Sequence, residues 1–333
     1  MLNRRQFLGA MPAMAAGATG IAGCSSTVKI SQMSNQVGGR PFNKPEKSRV
    51  EFRAGKNRFE IISDALSPLQ HQVAEDIANK QVIVKVNCAL IDPELQFCST
   101  HAEQLRAILE FLKPIYGRQI IISEGTASRA SSIMLAYENY GYRPLEKEYN
   151  IKFIDANDQP TKVVYIRAAK QHPVPINVNY PYMDPNVYLI SAARIKTHNA
   201  VVATLSTKNV VMGSPQCRYW LKGRGISDKP LMHGGAGLPE SSSGRELSYN
   251  IFTVALAGVR PDLAVIDGVQ TVEGNGPWGG GILVDHEVAI ASTDFVAADR
   301  ISIELMGIDP FYMKYVEWCG EVYPFVKTNI VII

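Results

Sequence analysis

Cysteine is scarce in this chain and never closely paired. The five cysteines, Cys24, Cys88, Cys98, Cys217 and Cys319, include no Cys-x-x-Cys. A zinc ribbon or a cysteine-ligated iron–sulfur cluster therefore finds no motif here. An excess of one charge is missing as well: 34 lysines and arginines face 31 aspartates and glutamates, with no basic stripe or block of like charge. Nucleic acid is not an expected partner. Long apolar runs are also lacking, because the weakly hydrophobic stretch near the start is too short to span a bilayer stably. What remains is an ordinary globular composition, 46% hydrophobic and 20% charged over 333 residues. That length can bury a large core as one big domain or two intimate ones.

The first residues read as an export signal rather than as part of the fold. Asn3-Arg4-Arg5-Gln6-Phe7-Leu8 resembles the twin-arginine translocation motif, and Ile21-Ala22-Gly23-Cys24 resembles a lipobox. The expected organisation is a twin-arginine lipoprotein signal over 1–23, a Ser/Gln/Asn/Gly-rich tether over 24–50, and a folded body over 51–333. Cys24 is the expected site of lipidation. The twin-arginine translocase is then a partner during export, and the lipid anchors the protein in the cell envelope, on the periplasmic side in a Gram-negative cell. The pairing of the other four cysteines stays open, although Cys88 and Cys98 could bridge a short loop.

Within the body, apolar strands alternate with amphipathic helices. Residues 61–80 have the spacing of one or two helices, and 81–87 is a buried strand ending in Lys85 and Asn87. Thr100 and Glu103 fit a capping box for a helix carrying Leu105, Ile108, Leu109 and Leu112. Strands over 119–123 and 150–155 follow, separated by a helix over 130–140. This alternation predicts an α/β fold with a largely parallel sheet flanked by helices, as two intimate α/β halves with a cleft between them. Ligand sites in such sheets lie at the carboxyl ends of strands, where Lys85, Asn87, Glu124 and Asp155 fall.

The most unusual stretch is 189–213, Leu-Ile-Ser-Ala-Ala-Arg-Ile-Lys-Thr-His-Asn followed by an apolar segment that ends at Gly213. If the strand over 187–190 stays extended to Asn199, Lys196 and His198 share a face. Residues 200–212 read as a helix, with Thr204 and Lys208 one turn apart. Lys196, His198 and Lys208 are the candidate catalytic residues. Lys85, Asn87 and Asn209 are candidate ligand-binding residues. A second glycine-dense stretch, 273–281, adds Gly274, Asn275 and Gly276 to the ligand-binding set, since glycine lets main-chain N–H groups approach a ligand. It is neither a P-loop nor a Rossmann fingerprint. Glu273, Asp267 and Asp294 are candidate ligands for a divalent metal, the identity of any cofactor being unknown.

Taken together, Lys85-Val86-Asn87, Thr100-His101, Lys196-Thr197-His198, Lys208-Asn209 with Gly213, Pro261-Asp262, Asp267-Gly268, 273–277 and Ser292-Thr293-Asp294 resemble, in order, the domain-of-unknown-function family 362. The resemblance implies a fold more firmly than a reaction. Some relatives carry a four-cysteine ferredoxin-like module, for which this chain has no counterpart. The family is also distantly similar to nickel-dependent lactate racemase. The expected function is binding of a small anionic ligand, with a metal or cofactor as an added element, in a cleft lined by Lys, His and acids. A non-catalytic envelope lipoprotein that binds a ligand or partner is the alternative.

Overall fold

The computed structural model describes residues 40, 48–88, 91–127, 132–167, 172–221, 224–233, 244–276, 281–322 and 331–332. The expected signal, nearly all of the tether and Cys24 lie outside them. Ten strands form one sheet in the order β14-β1-β13-β11-β7-β2-β3-β4. These are β1 (Arg49–Ala54), β2 (Gln81–Lys85), β3 (Ile120–Glu124), β4 (Ile151–Asp155), β7 (Val187–His198), β11 (Leu263–Gly274), β13 (Val288–Ser292) and β14 (Val331–Ile332). The short strands β8 (Val202–Thr204) and β12 (Gly281–Val284) extend β7 and β11. Strands β5 (Thr161–Arg167) and β6 (Pro173–Asn179) form a separate two-stranded ribbon, as do β9 (Cys217–Leu221) and β10 (Arg224–Ser227).

The sheet is parallel across β11, β7, β2, β3 and β4, and antiparallel where β13 joins β11 and β1. Its central strands are apolar on both faces, as strands covered by helices on both sides must be. On one face Val82, Val84, Ile122, Ile190 and Val265 pack with Ile62, Leu66, Val73 and Ile108 from the helices Arg58–Leu66, Gln70–Ile77 and Ala102–Leu112. On the other, Ile83, Leu189, Ile195, Ile266 and Ile290 pack with Val210, Val254 and Phe295 from Ser206–Gly213, Gly244–Leu256 and Phe295–Leu305. Each such side chain removed from water contributes on the order of 1.5–3 kcal/mol. The two expected halves thus share one continuous sheet, because β11 docks alongside β7 rather than opening a second sheet.

Two local expectations are corrected. Residues 200–212 are not one helix: the chain reverses at Val202, whose φ of 72° is left-handed, and β8 runs back along β7 before the helix begins at Ser206. Three β-branched residues among 201–204 favour that extended return over a helical turn. Thr100 is likewise not the cap of the helix Ala102–Leu112. His101 caps it, its Nδ1 accepting from the Glu103 N–H at 3.2 Å. Thr100 instead accepts from the Asn87 N–H and donates to the Ala192 carbonyl, both at 2.7 Å, tying β2 to β7.

Candidate functional site

The connection from β2 leads to β3 on one side, while β7 leads to β11 on the other. The carboxyl ends of β2 and β7 therefore border a topological switch point, where open α/β sheets bind ligands. Strand β2 ends at Lys85, in register with Ser191, and β7 runs on to His198. Where β2 stops, β8 takes its place beside β7, with Lys196 opposite Thr204 and His198 opposite Val202. The helix Ser206–Gly213 then folds back over the notch. Its start is held by Asp299, whose two carboxylate oxygens accept from the Ser206 and Thr207 N–H groups at 2.8 and 3.0 Å.

One hydrogen-bonded chain crosses the notch. Lys85 Nζ donates to Glu124 Oε2 at 2.8 Å, to Asn209 Oδ1 at 3.0 Å and to the Val86 carbonyl at 2.7 Å. Glu124 accepts also from the Cys88 and Gly125 N–H groups. Asn209 donates to the Lys85 carbonyl and to Ser191 Oγ, and its Oδ1 accepts from Asn87 Nδ2 at 3.1 Å. Asn87 Oδ1 in turn accepts from Lys196 Nζ at 3.0 Å, and Lys196 also donates to the Cys98 carbonyl. Space for this network depends on Gly213: a Cβ there would lie 2.1 Å from Lys85 Cε and 2.7 Å from its Nζ.

Lys208 sits differently. Its ammonium is buried and donates to Thr204 Oγ1 at 3.0 Å, with no carboxylate partner among the described residues. Burial, reinforced by the charge of Lys196, pushes its pKa well below the usual lysine range. Its place in the first turn of a helix adds to the disfavour, because the positive dipole end opposes a cation. Lys196 is brought down to about 8, first by burial and then by neighbouring charges that include Arg194. His198 is held neutral by burial, Lys208, His233 and Lys196. Its Nδ1 accepts from the Ala200 N–H at 3.1 Å, which leaves the ring proton on Nε2. His233 is lowered in the same way by burial and Lys208.

The structure thus brings Lys85, Asn87, Lys196, His198, Lys208 and Asn209 to one place. Gly274, Asn275 and Gly276 lie against the same strand. Thr197 Oγ1 donates to the Gly274 carbonyl at 3.0 Å, and a Cβ at Gly276 would stand 2.8 Å from that hydroxyl. Asn275 is exposed, and Pro277 to Gly280 lie outside the described residues.

The three acids expected to hold a metal are not brought together. Asp267 pairs with Arg58 Nε at 2.9 Å and Arg194 Nε at 3.4 Å. Asp294 caps the helix Phe295–Leu305 by accepting from the Val296 and Ala297 N–H groups, and it also accepts from Ser48 Oγ. Glu273 meets His286 Nε2 at 2.6 Å. Among the described residues no three His, Cys, Asp or Glu side chains converge as a metal site, so this donor set does not fit a divalent ion. The four cysteines of the body, Cys88, Cys98, Cys217 and Cys319, are buried.

Lys229 belongs to the site but was not a candidate from sequence. It lies in the short helix Lys229–Met232, buried, with Nζ donating to the Gly125 carbonyl at 2.9 Å, and burial lowers its pKa near Glu124 and Lys85. It is one of two lysines, with Lys222, in the Gly/Ser/Pro-rich connection over 214–245, and no local pattern marks it.

The model of the family described as "Domain of unknown function (DUF362)" matches residues 82–304. A thylakoid-associated protein of Synechocystis sp. is 24% identical over 239 residues, covering 69% of this chain and 64% of that protein, so the chain spans just under two thirds of that relative's length. Among solved structures, the lactate racemase apoprotein from Thermoanaerobacterium thermosaccharolyticum aligns with a TM-score of 0.45 at 12% identity, over 79% of this chain and 58% of that one. A protein from Thermotoga maritima aligns with a TM-score of 0.44 at 13% identity, over 81% and 60%.

Proposed function

The chain belongs to the DUF362 family, and from that premise we propose that its body binds a small oxyanion, a carboxylate or phosphate group, between Lys196, His198 and Lys208. The observation that carries this reading is the Lys208 amine, buried with a hydroxyl as its acceptor and no carboxylate beside it among the described residues. A buried cation without a counter-charge is strongly unfavourable, so Lys208 holds its proton weakly in the empty site, and a bound anion supplies the missing partner for the amines around it. Every side chain that faces the anion is a donor: two lysine amines and the Nε2–H of His198. Lys85, paired with Glu124, and the two asparagines form the frame rather than the contact surface.

Residues 1–24 support an exported, lipid-anchored location for this activity in the cell envelope. A non-catalytic ligand- or partner-binding lipoprotein would use the same pocket, and turnover of a bound oxyanion separates the two. The first test is thermal unfolding of the purified full chain with phosphate, oxalate or pyruvate against chloride at matched ionic strength. Wild type is expected to gain stability with the logarithm of ligand concentration above Kd, about 2.7 kcal/mol at a hundredfold excess. Lys208→Met is expected to show no gain. Equal stabilisation by chloride would defeat the reading.

A further inference from the structure

Four buried lysines meet at the carboxyl end of this sheet, and their surroundings form a series. Lys85 has a carboxylate and two further acceptors. Lys196 has two neutral acceptors, the Asn87 amide and the Cys98 carbonyl. Lys229 has one carbonyl, and Lys208 one hydroxyl. A hydroxyl oxygen stabilises an ammonium less than a carbonyl or carboxylate does, so Lys208 is the lysine least able to keep its proton. It also faces Lys196, His198 and His233, none of which carries negative charge. A desolvated lysine beside a second cation is the setting in which a lysine amine becomes a nucleophile towards carbonyl carbon.

We propose that Lys208 is such a nucleophile, and that the site takes a 2-oxo carboxylate whose carboxylate rests on Lys196 while its carbonyl condenses with Lys208 Nζ as a Schiff base. The proposal rests on the oxyanion reading above and adds to it the reacting atom and the substrate class. The division of labour follows from the series: Lys196, better supplied with acceptors, stays the charged anchor, and Lys208 supplies a free lone pair.

His198 completes the arrangement. With Nδ1 engaged by the Ala200 N–H, its Nε2–H is directed to an acceptor, and a carbonyl or carbinolamine oxygen is one. In the first step the Nζ lone pair forms the C–N bond, the carbonyl π pair moves to oxygen, and a proton passes from nitrogen to that oxygen. In the second, the C–O bond breaks, the nitrogen lone pair forms C=N, and the oxygen leaves as water with the second amine proton. No electron is gained or lost, and no co-reactant is needed.

Borohydride trapping tests the proposal. The full chain is incubated with pyruvate, reduced with sodium borohydride, digested and mapped by mass spectrometry. The expected result is a pyruvate-derived secondary amine on Lys208, suppressed by competing oxalate and lost in Lys208→Arg. An adduct absent from Lys208, or confined to surface lysines, while phosphate and pyruvate still raise the unfolding midpoint, would overturn the covalent proposal and leave the oxyanion reading standing. If no oxyanion stabilises the protein, both fall together.

Discussion

Strand β7 presents Arg194 and Lys196 two residues apart on one face, both buried, and surrounds them in opposite ways. Arg194 is matched in charge: its Nε lies 3.4 Å from Asp267 as an ion pair without a hydrogen bond, and the carbonyls of Gln96, Ser99, Val269 and Gln270 accept from its two terminal nitrogens. Arg58 shares the same carboxylate and also donates to the Val269 carbonyl. Together the two guanidiniums pin the irregular excursion in β11 between Asp267 and Val272, where Gln270 adopts a positive φ. Two residues further along the strand, Lys196 and its neighbour Lys208 donate to neutral acceptors, and no described carboxylate is paired with either, although the Glu124 charge acts on Lys196. A buried cation paired with a carboxylate holds structure in place, and a buried amine without one is set up to take an anion from solution.

Removing the shared carboxylate should break the contrast most severely. Asp267→Asn leaves two buried guanidiniums without their counter-charge and is expected to cost about 3–5 kcal/mol in chemical denaturation. Lys208→Met, which removes a buried amine with no paired carboxylate, is expected to leave stability unchanged or raise it. Equal losses for the two variants would erase the distinction between the clusters.

The next effect is steric. In Gly213→Ala the new methyl meets Lys85 Cε at 2.1 Å, so the Lys85–Glu124 pair has to shift, at a cost of about 1–3 kcal/mol. Oxyanion stabilisation should weaken in parallel, because the same shift moves Asn209 and through it Asn87 and Lys196. Unaltered stability and binding would show that the frame does not set the geometry of the pocket.

The smallest and most graded effect is pH dependence. Lys196 is lowered to about 8 from the ordinary 10.5. Between those values the unfolded chain binds more protons than the folded one, so the stability of the unliganded protein should rise with pH across that window. Below about pH 8 the full penalty of the buried ammonium is present. Oxyanion binding should run the other way and fade as pH rises through about 8, since the charge that holds the anion is lost. Denaturation and binding measured over the same pH series would show these opposite slopes, and parallel slopes would exclude Lys196 as the charged anchor.

Much of this arrangement is legible locally. The alternation of apolar strands and helices predicts the parallel part of the sheet, and period two places Lys196 and His198 on one face of β7. Asp294 as a helix cap follows from Ser292-Thr293-Asp294 preceding a buried stripe. Other features depend on contacts that no window of sequence contains. The segment 200–212 is apolar enough for a helix, yet it begins as β8 because β2 ends early and leaves the edge of β7 open. Asp267 reads as a metal ligand until Arg58, 209 positions away, is seen to reach it. Lys229 carries no signal at all until the fold sets it against Gly125.

The sequence by itself determined the class of fold and the family, because hydrophobic periodicity and the order of short motifs are properties of neighbouring residues. Only the tertiary structure decided which charges are matched. Lys85, Lys196 and Lys208 are the same residue type on similar apolar strands and helices, and what separates a paired frame residue from an unpaired amine is the partner that arrives from elsewhere in the chain. Glu124 reaches Lys85 from a parallel strand, whereas the described residues bring no carboxylate to Lys208.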